Sequence, residues 1–457
     1  MSAGLSDRLC AGLADITFAA LPASTVASAK RVLLDATGVM LGASGSAPEI
    51  GPFVQLARAG GSGPCTILGT RHRVAAPSAA LAGGAMAHAL DYEDAFDRVP
   101  GHPNASLVPA LIALAQSQGA VDGRRFLAAL AAGCDLACRM ALSLRRPMEA
   151  GNWYPPPMLG GFGAAAGAAK LLGLDARGIR DALSLMLCQT VMPGEIKYSQ
   201  GTVIRAVREA FPAQAAVTSA LLAQSGVAGF EQPLEGRAGF YALYALGEYD
   251  ESDLLGELGS RFWIEQLTFK AWPSCRGTHP FIELALGLRE RGLAPGDIAA
   301  VTVRIDEVQR MLAEPLPRKQ APQTLIDAKF SVPFCTALAL VRGRVDLDSF
   351  TDATLSDAQV LAMAAKVSVE MASAGNGWQA GSGGGLMLWM ADGSILEAET
   401  ADALGCPARP LSEAQLVDKF ADCASRAAVP IRDDAAQELA VRILALEDCA
   451  DVGDLFA

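Results

Sequence analysis

Between residues 7 and 246 apolar side chains recur mostly three or four positions apart, the spacing of helices that bury one face. Residues 7–42 give two helices separated by Leu21-Pro22, with Ser24 placed to cap the second. That second helix lines up Val26, Ala29, Val32, Leu33, Ala36 and Val39, and Gly38 and Gly42 leave room for a close neighbour. A connection over 46–73 holds a short helix near 50–58 and a strand at 65–68. Helical spacing then predicts 76–92, 104–118, 123–144, 158–172, 176–190, 203–225 and 238–246. Gly173-Leu174-Asp175 ends one helix and opens the next, with Asp175 as N-cap. Strands and helices do not alternate here, so this is a helical domain and not a doubly wound sheet.

The period changes near residue 266. Residues 299–308 alternate apolar and polar, and 366–370 and 386–390 are shorter strands. Ala391-Asp392-Gly393 is a hairpin turn leading into a strand at 394–399. Helices fit at 278–291, 324–342 and 355–364. The reading is a mostly α protein: a large all-helical domain from 1–265 with 405–457, plus a smaller α+β lid domain over 266–404. The tail from 412 to 455 is helical and returns to the first domain. Gly383-Gly384-Gly385 has no Gly-Lys-Ser/Thr behind it and reads as a tight strand entrance, not a phosphate loop.

Charge narrows the partners. The chain has 457 residues, a net charge of -12 and no Lys/Arg block, which argues against nucleic acid and an anionic membrane surface. A few local cations can still hold an anionic substrate. Residues 210–230 are uncharged, but Pro212, Gln214, Thr218 and Ser219 make this a buried helix and not a membrane span. Asp7, Arg8 and Asp15 interrupt any leader-like run, so the expected location is cytoplasmic. The ten cysteines show no Cys-x-x-Cys, and neither a metal nor an organic cofactor is expected.

Four polar clusters stand out. The first, residues 88–104, holds His88, Asp91, Glu93, Asp94, Asp97, Arg98 and His102 between two nearly uncharged helical runs; the chain has only four histidines. Burying such an island is costly without a purpose. Asp91 and His102 fall near the core boundary and are the candidates, while Glu93, Asp97 and Arg98 read as a solvated helix end. In the second, Tyr154 precedes three prolines that hold an extended segment ahead of a Gly/Ala-rich helix. The third runs from Gly194 through Lys197 to Gly201 and on to Arg205 and Arg208. The fourth packs Lys270, Cys275, Arg276 and His279 into ten residues between the two domains. If the clusters meet, histidine and tyrosine serve as proton carriers among cations. That inventory suits removal of a proton next to a carboxylate, with fixed positive charge stabilising the carbanion.

The chain resembles the MmgE/PrpD family over nearly its whole length. The resemblance is carried in order by Leu33 to Gly42, His88 to Asp94 with His102-Pro103, Gly163 to Asp175, Leu234 to Phe240, Lys270 to His279, Lys329 to Pro333, and Pro410 to Phe420. The family includes 2-methylcitrate dehydratase, cis-aconitate decarboxylase and iminodisuccinate epimerase. It implies a homodimer acting on a small polycarboxylate without an organic cofactor. It also places Asp91, His102 and Lys270 on active-site positions, with Lys197 or Arg205 at a further basic one. Three departures point away from cis-aconitate decarboxylation. Tyr154 and Cys275 stand where that pattern has histidines, and Phe334 where it has a tyrosine. The resulting expectation is a dehydratase-type lyase. His102 and Tyr154 are its acid/base pair, Asp91 orients His102 or the substrate, and Lys270, Arg276 and Lys197 or Arg205 grip carboxylates. Cys275 is a further substrate-binding position, and His279 is supporting or structural. The alternatives are a dicarboxylate epimerase and a catalytically inactive carboxylate-binding relative.

Overall fold

In a computed structural model of the protein, residues 4–99, 101–199, 202–373, 375, 377–378 and 380–457 are described. The chain divides into two compact units, Met1–Leu267 with Ser412–Ala457, and Thr268–Leu411.

The first unit is helical. Its elements are α1 (Leu5–Asp15), α2 (Ala23–Ser46), α3 (Gly51–Ala59), a small ladder of β1 (Cys65–Thr66) and β2 (Arg73–Val74), then α4 (Ala76–Ala89), α5 (Pro103–Gln118) and α6 (Gly123–Ser143). There follow α7 (Pro155–Leu171), α8 (Ala176–Leu187), α9 (Ile204–Val207), α10 (Ala210–Gln224), α11 (Phe240–Tyr244) and α12 (Glu251–Leu255). Helix α7 packs against α5, α6, α8 and α10. Small residues permit this: a Cβ at Gly163 would stand 2.4 Å from the carbonyl oxygen of Gly133, so α6 and α7 touch backbone to backbone. Helix α6 is long and apolar enough to cross a membrane, yet 94% of its apolar window is buried inside this unit.

The tail rejoins the first unit through Gly38 and Gly42. A Cβ on either would come within 3.3 Å of the Cα of Phe420 or Cys423, on the tail helix Glu413–Ser425. Beside them Lys419 reaches the buried Asp35 at 2.7 Å.

Several local expectations are corrected. Ser24 does not cap α2; Pro22 occupies that position, and Ser24 donates to Glu265 at 3.0 Å. The three prolines are not an extended lead-in but the first turn of α7, where their missing N–H groups need no partner. The predicted helix over 203–225 is two, because Arg208 and Glu209 interrupt it with buried charge. Asp175 does cap α8, accepting from Gly178 N at 2.9 Å.

The second unit is built on a four-stranded sheet of β3 (Ile298–Ile305), β4 (Val367–Met371), β5 (Gly384–Met390) and β6 (Ile395–Thr400), in the order β4-β3-β5-β6. Strand β4 runs parallel to β3, with Val301 opposite Val367; β5 is antiparallel to β3 and to β6. Val301, Val303, Ile305, Leu386 and Leu388 are buried, and helix His279–Glu290 packs on β5 and β6. Each such side chain contributes about 1.5–3 kcal/mol by leaving water. The turn at Asp392-Gly393 forms as expected, with Gly393 at φ 87°. The predicted helix over 324–342 is broken at Ser331, whose hydroxyl accepts from Phe334 N and caps Val332–Arg342.

Candidate active site

The first cluster is built by the exit from α4. His88 lies in its last turn, and Asp91 then takes a left-handed conformation, φ 51°, its N–H donating to the His88 carbonyl at 2.8 Å. Aspartate tolerates that conformation better than most side chains. The turn sends Glu93 and Asp94 back toward His88. The loop closes where Phe96 N donates to Gly101 O at 2.9 Å, and His102 becomes the N-cap residue of α5, followed by Pro103.

His88, Asp91, Glu93 and Asp94 are all buried, and the His102 side chain retains 14% exposure. One carboxylate oxygen, Oε1 of Glu93, is shared by Nδ1 of both imidazoles, standing 2.9 Å from that of His102. The rings are 5.0 Å apart. Nδ1 of His102 also lies 3.0 Å from the carbonyl oxygen of Asp94. A carbonyl and a carboxylate both accept, so Nδ1 of His102 carries the proton and Nε2 keeps its lone pair. His88 is fixed from its other side, where Nε2 meets the guanidinium of Arg208. Arginine only donates, so His88 accepts there and donates from Nδ1 to Glu93. Burial first, and the Arg208 charge second, push His88 down to about 3, so this ring stays neutral.

Arg208 and Glu209 lie between α9 and α10, and both are buried. Arg208 donates to the Arg205 carbonyl at 2.8 Å, stands 3.3 Å from Glu209, and places its guanidinium carbon 5.3 Å from the centre of the Tyr154 ring. Ser106 donates to Glu209 at 2.5 Å. Burial raises the Glu209 carboxyl above its ordinary value. Tyr154 is the N-cap residue of α7, held by a backbone bond to Met192 at 2.8 Å. Lys197 approaches its ring to 5.5 Å while standing 3.7 Å from Glu149. Two cations thus face one phenol ring. Gly201, the end of this basic segment in the sequence reading, lies outside the described residues.

Behind the loop, Asn104 donates to Asp94 at 2.9 Å. Burial, then the nearby Asp35 carboxylate, push Asp94 up to about 7. Lys419 donates to the Tyr92 carbonyl at 2.7 Å and lies 3.8 Å from the centre of its ring, tying the tail to the site loop.

The ligating atoms of His88, Asp91, Glu93 and His102 lie within 4.8 Å of one another, a spacing a divalent ion could use. Here the positive charge against this set is Arg208, which occupies Nε2 of His88, while Glu93 bridges both rings.

Two sequence expectations change. Glu93, read as part of a solvated helix end, is 1% exposed and is the carboxylate against His102. Asp91, expected to orient His102 or the substrate, reaches toward Nε2 of His88 at 3.9 Å. The sequence placed Arg208 only in the basic third cluster and gave Glu209 no part in the site. Their signal was two adjacent charges inside an otherwise apolar helical run.

The fourth cluster lies in the second unit. Lys270 is fully buried and Cys275 half-buried, its N–H donating to Lys329 O at 3.0 Å. Arg276 donates to the carbonyls of Leu404 and Ala403 at 3.0 and 2.8 Å and to Ser382 at 2.8 Å. His279 is buried, with Nε2 3.3 Å from the Ser274 carbonyl. Phe334 is buried in the core of that unit.

Comparison with known proteins finds two family domains, the second of which runs past residue 411 into the tail of the first unit. The MmgE/PrpD N-terminal domain matches residues 7–252 and the MmgE/PrpD C-terminal domain residues 272–446. The cis-aconitate decarboxylase-like protein oryM of Aspergillus oryzae is 25% identical over 473 residues, spanning 98% of this chain and 96% of that protein. Human cis-aconitate decarboxylase is 27% identical over 308 residues, 64% of this chain and 61% of the relative. The mouse cis-aconitate decarboxylase is 27% identical over 358 residues, 75% and 70%. With both domains matched in order over most of its length, the chain belongs to the MmgE/PrpD family.

Proposed function

We propose that the protein is a lyase-type enzyme that removes a proton α to a carboxylate of a small di- or tricarboxylate, with Nε2 of His102 as the base. One observation carries this reading: among the described residues, of the two imidazoles on Glu93 only that of His102 is left with an uncommitted basic nitrogen and partial exposure. The α C–H electron pair stays on carbon as a carbanion while the proton moves to Nε2. Positive charge near the substrate carboxylates lowers the energy of that intermediate. Lys197, which faces the Tyr154 ring together with Arg208, takes that role. Arg276 and His279 are given no role here, since Arg276 bonds two carbonyls and Ser382, and His279 the Ser274 carbonyl, of their own unit.

Elimination completes the reaction when the electron pair forms a C=C bond and a β-hydroxyl departs as water, protonated by Tyr154. A second reading, epimerisation, is favoured by the same tyrosine. Its ring faces two cations, and its phenol O–H can return a proton to the opposite face.

The test is a panel of di- and tricarboxylates incubated with enzyme in heavy water. Elimination gives a conjugated alkene absorbance, epimerisation gives deuterium uptake with altered optical rotation, and carbon dioxide release places the enzyme with the activity named for its relatives. Tight binding of an acid with no exchange at any α-carbon overturns the enzymatic reading in favour of a carboxylate-binding protein.

A further inference from the structure

Two histidines share one carboxylate oxygen in this site, and both are near enough to compete for one proton. We propose that Arg208 settles that competition: it holds His88 neutral, and Glu93, a positioning residue, thereby directs the catalytic proton to His102 alone. The mechanistic half of this rests on the reading of His102 as the base; the tautomer half stands without it.

The argument follows donors and acceptors. Arg208 has only N–H groups to offer, so Nε2 of His88 must accept, and the single proton of a neutral ring must sit on Nδ1. That proton is donated to Oε1 of Glu93, which fixes the carboxylate by a second bond besides the one from His102. A second proton on His88 would have to displace the guanidinium from a site with no exposed surface. His102 has no such cation on it. Its Nδ1–H is held by Glu93 and by the Asp94 carbonyl, so an imidazolium forming at Nε2 is stabilised by a charge already in place. Aspartate plays this part toward histidine in hydrolytic triads. Here the carboxylate is itself oriented by a second, silent histidine. The other titratable groups around the pair are Asp91 and Asp94 on the same loop, Glu209 beside Arg208, and Tyr154 ahead of α7. Of these, Asp94 meets Nδ1 of His102 through its backbone carbonyl, at 3.0 Å.

The experiment is nitrogen NMR on the full chain with labelled histidine, where four residues give four resolvable rings. His88→Asn and His102→Asn assign the two signals. The expected wild-type result is a His88 that stays neutral with its proton on Nδ1 between about pH 5 and 8, and a neutral His102 protonated on Nδ1. In Arg208→Met, His88 takes up a second proton at higher pH than in wild type, burial alone remaining to oppose it. Glu93→Gln keeps the acceptor oxygen and loses the charge set against His102. With a substrate from the heavy-water panel, Glu93→Gln lowers kcat by about 100-fold or more with KM within about twofold. A wild-type His88 that titrates in the window, or a His102 protonated on Nε2, overturns the proposal without any substrate. A kcat within about threefold of wild type in Glu93→Gln overturns its mechanistic half even if Arg208→Met does not fold. Should His102→Gln retain α-proton exchange while the wild-type tautomers are as expected, the functional reading falls and the tautomer assignment remains.

Discussion

The stretches His88–His102 and Lys270–His279 look alike as sequence: each sets histidine and charged groups beside apolar helices. Folded, they differ in what their polar atoms meet. In the second stretch Arg276 and His279 face carbonyl oxygens of Ala403, Leu404 and Ser274, so their chemistry closes loops. In the first, side chain meets side chain from Arg208 through His88 and Glu93 to His102, and the series ends on an imidazole nitrogen at a partly exposed ring. Buried polar groups that satisfy backbone are usually scaffold; a network that ends on an available base is chemistry. Residue type does not separate the two cases. The acceptor does.

The sharpest way to break that distinction is at its two ends. His102→Ala is expected to lower turnover by about 10²–10⁴-fold, measured as α-proton exchange, with a small change in thermal midpoint because its ring is partly exposed. Turnover within about threefold of wild type would put the base elsewhere. One step inward the effect changes kind. Arg208→Ala leaves Glu209 buried beside a vacated cation and should destabilise the fold by about 3–5 kcal/mol in urea titration. A loss under about 1 kcal/mol would mean that water or another cation replaces it, and the relay would lose its anchor.

The second stretch should respond in the opposite manner. Arg276→Ala deprives two carbonyls and a serine of their donor and is expected to cost about 1.5–3 kcal/mol of stability. The folded fraction should keep its KM. A KM raised tenfold or more at unchanged stability would return Arg276 to the substrate-gripping role expected of it from sequence, and the comparison would fail on that side.

Much of the fold was legible because its punctuation is local. Asp175 caps α8, Gly393 turns the β5–β6 hairpin, and Gly38 and Gly42 mark where another helix approaches. The breaks at Ser331 and at Arg208-Glu209 were missed because apolar periodicity continues across them. The site was half legible for a related reason. His102 and Asp91 stood out as polar residues at an apolar boundary. Glu93 did not, because a carboxylate two residues along looks the same whether water or two imidazoles surround it; its burial follows from the left-handed turn at Asp91, which brings it back onto His88. The identity of the tail helix's partner, α2, required both glycines and the Lys419–Asp35 pair to be seen together.

The smallest expected effects are the most specific, because two neighbours in the first stretch should pull stability in opposite directions over one pH range. Asp94 is raised to about 7 from an ordinary 3.8, so the folded state holds a proton that the unfolded state releases. Its contribution therefore becomes less favourable as pH rises from about 4 to 7. His88 is lowered to about 3 from 6.5, so the unfolded state takes up the proton first. Its contribution is complete above about pH 6.5 and is lost as pH falls toward 3. Each slope approaches about 1.4 kcal/mol per pH unit at most, and in wild type they largely cancel between pH 4 and 6.5. Asp94→Asn keeps an oxygen for Asn104 and removes the first term, so its stability relative to wild type should climb with pH across that interval. His88→Asn removes the second and should show the reverse slope. Parallel pH profiles for the two variants would mean that the buried carboxyl and the buried imidazole titrate as in water, which the closed network around Glu93 does not allow.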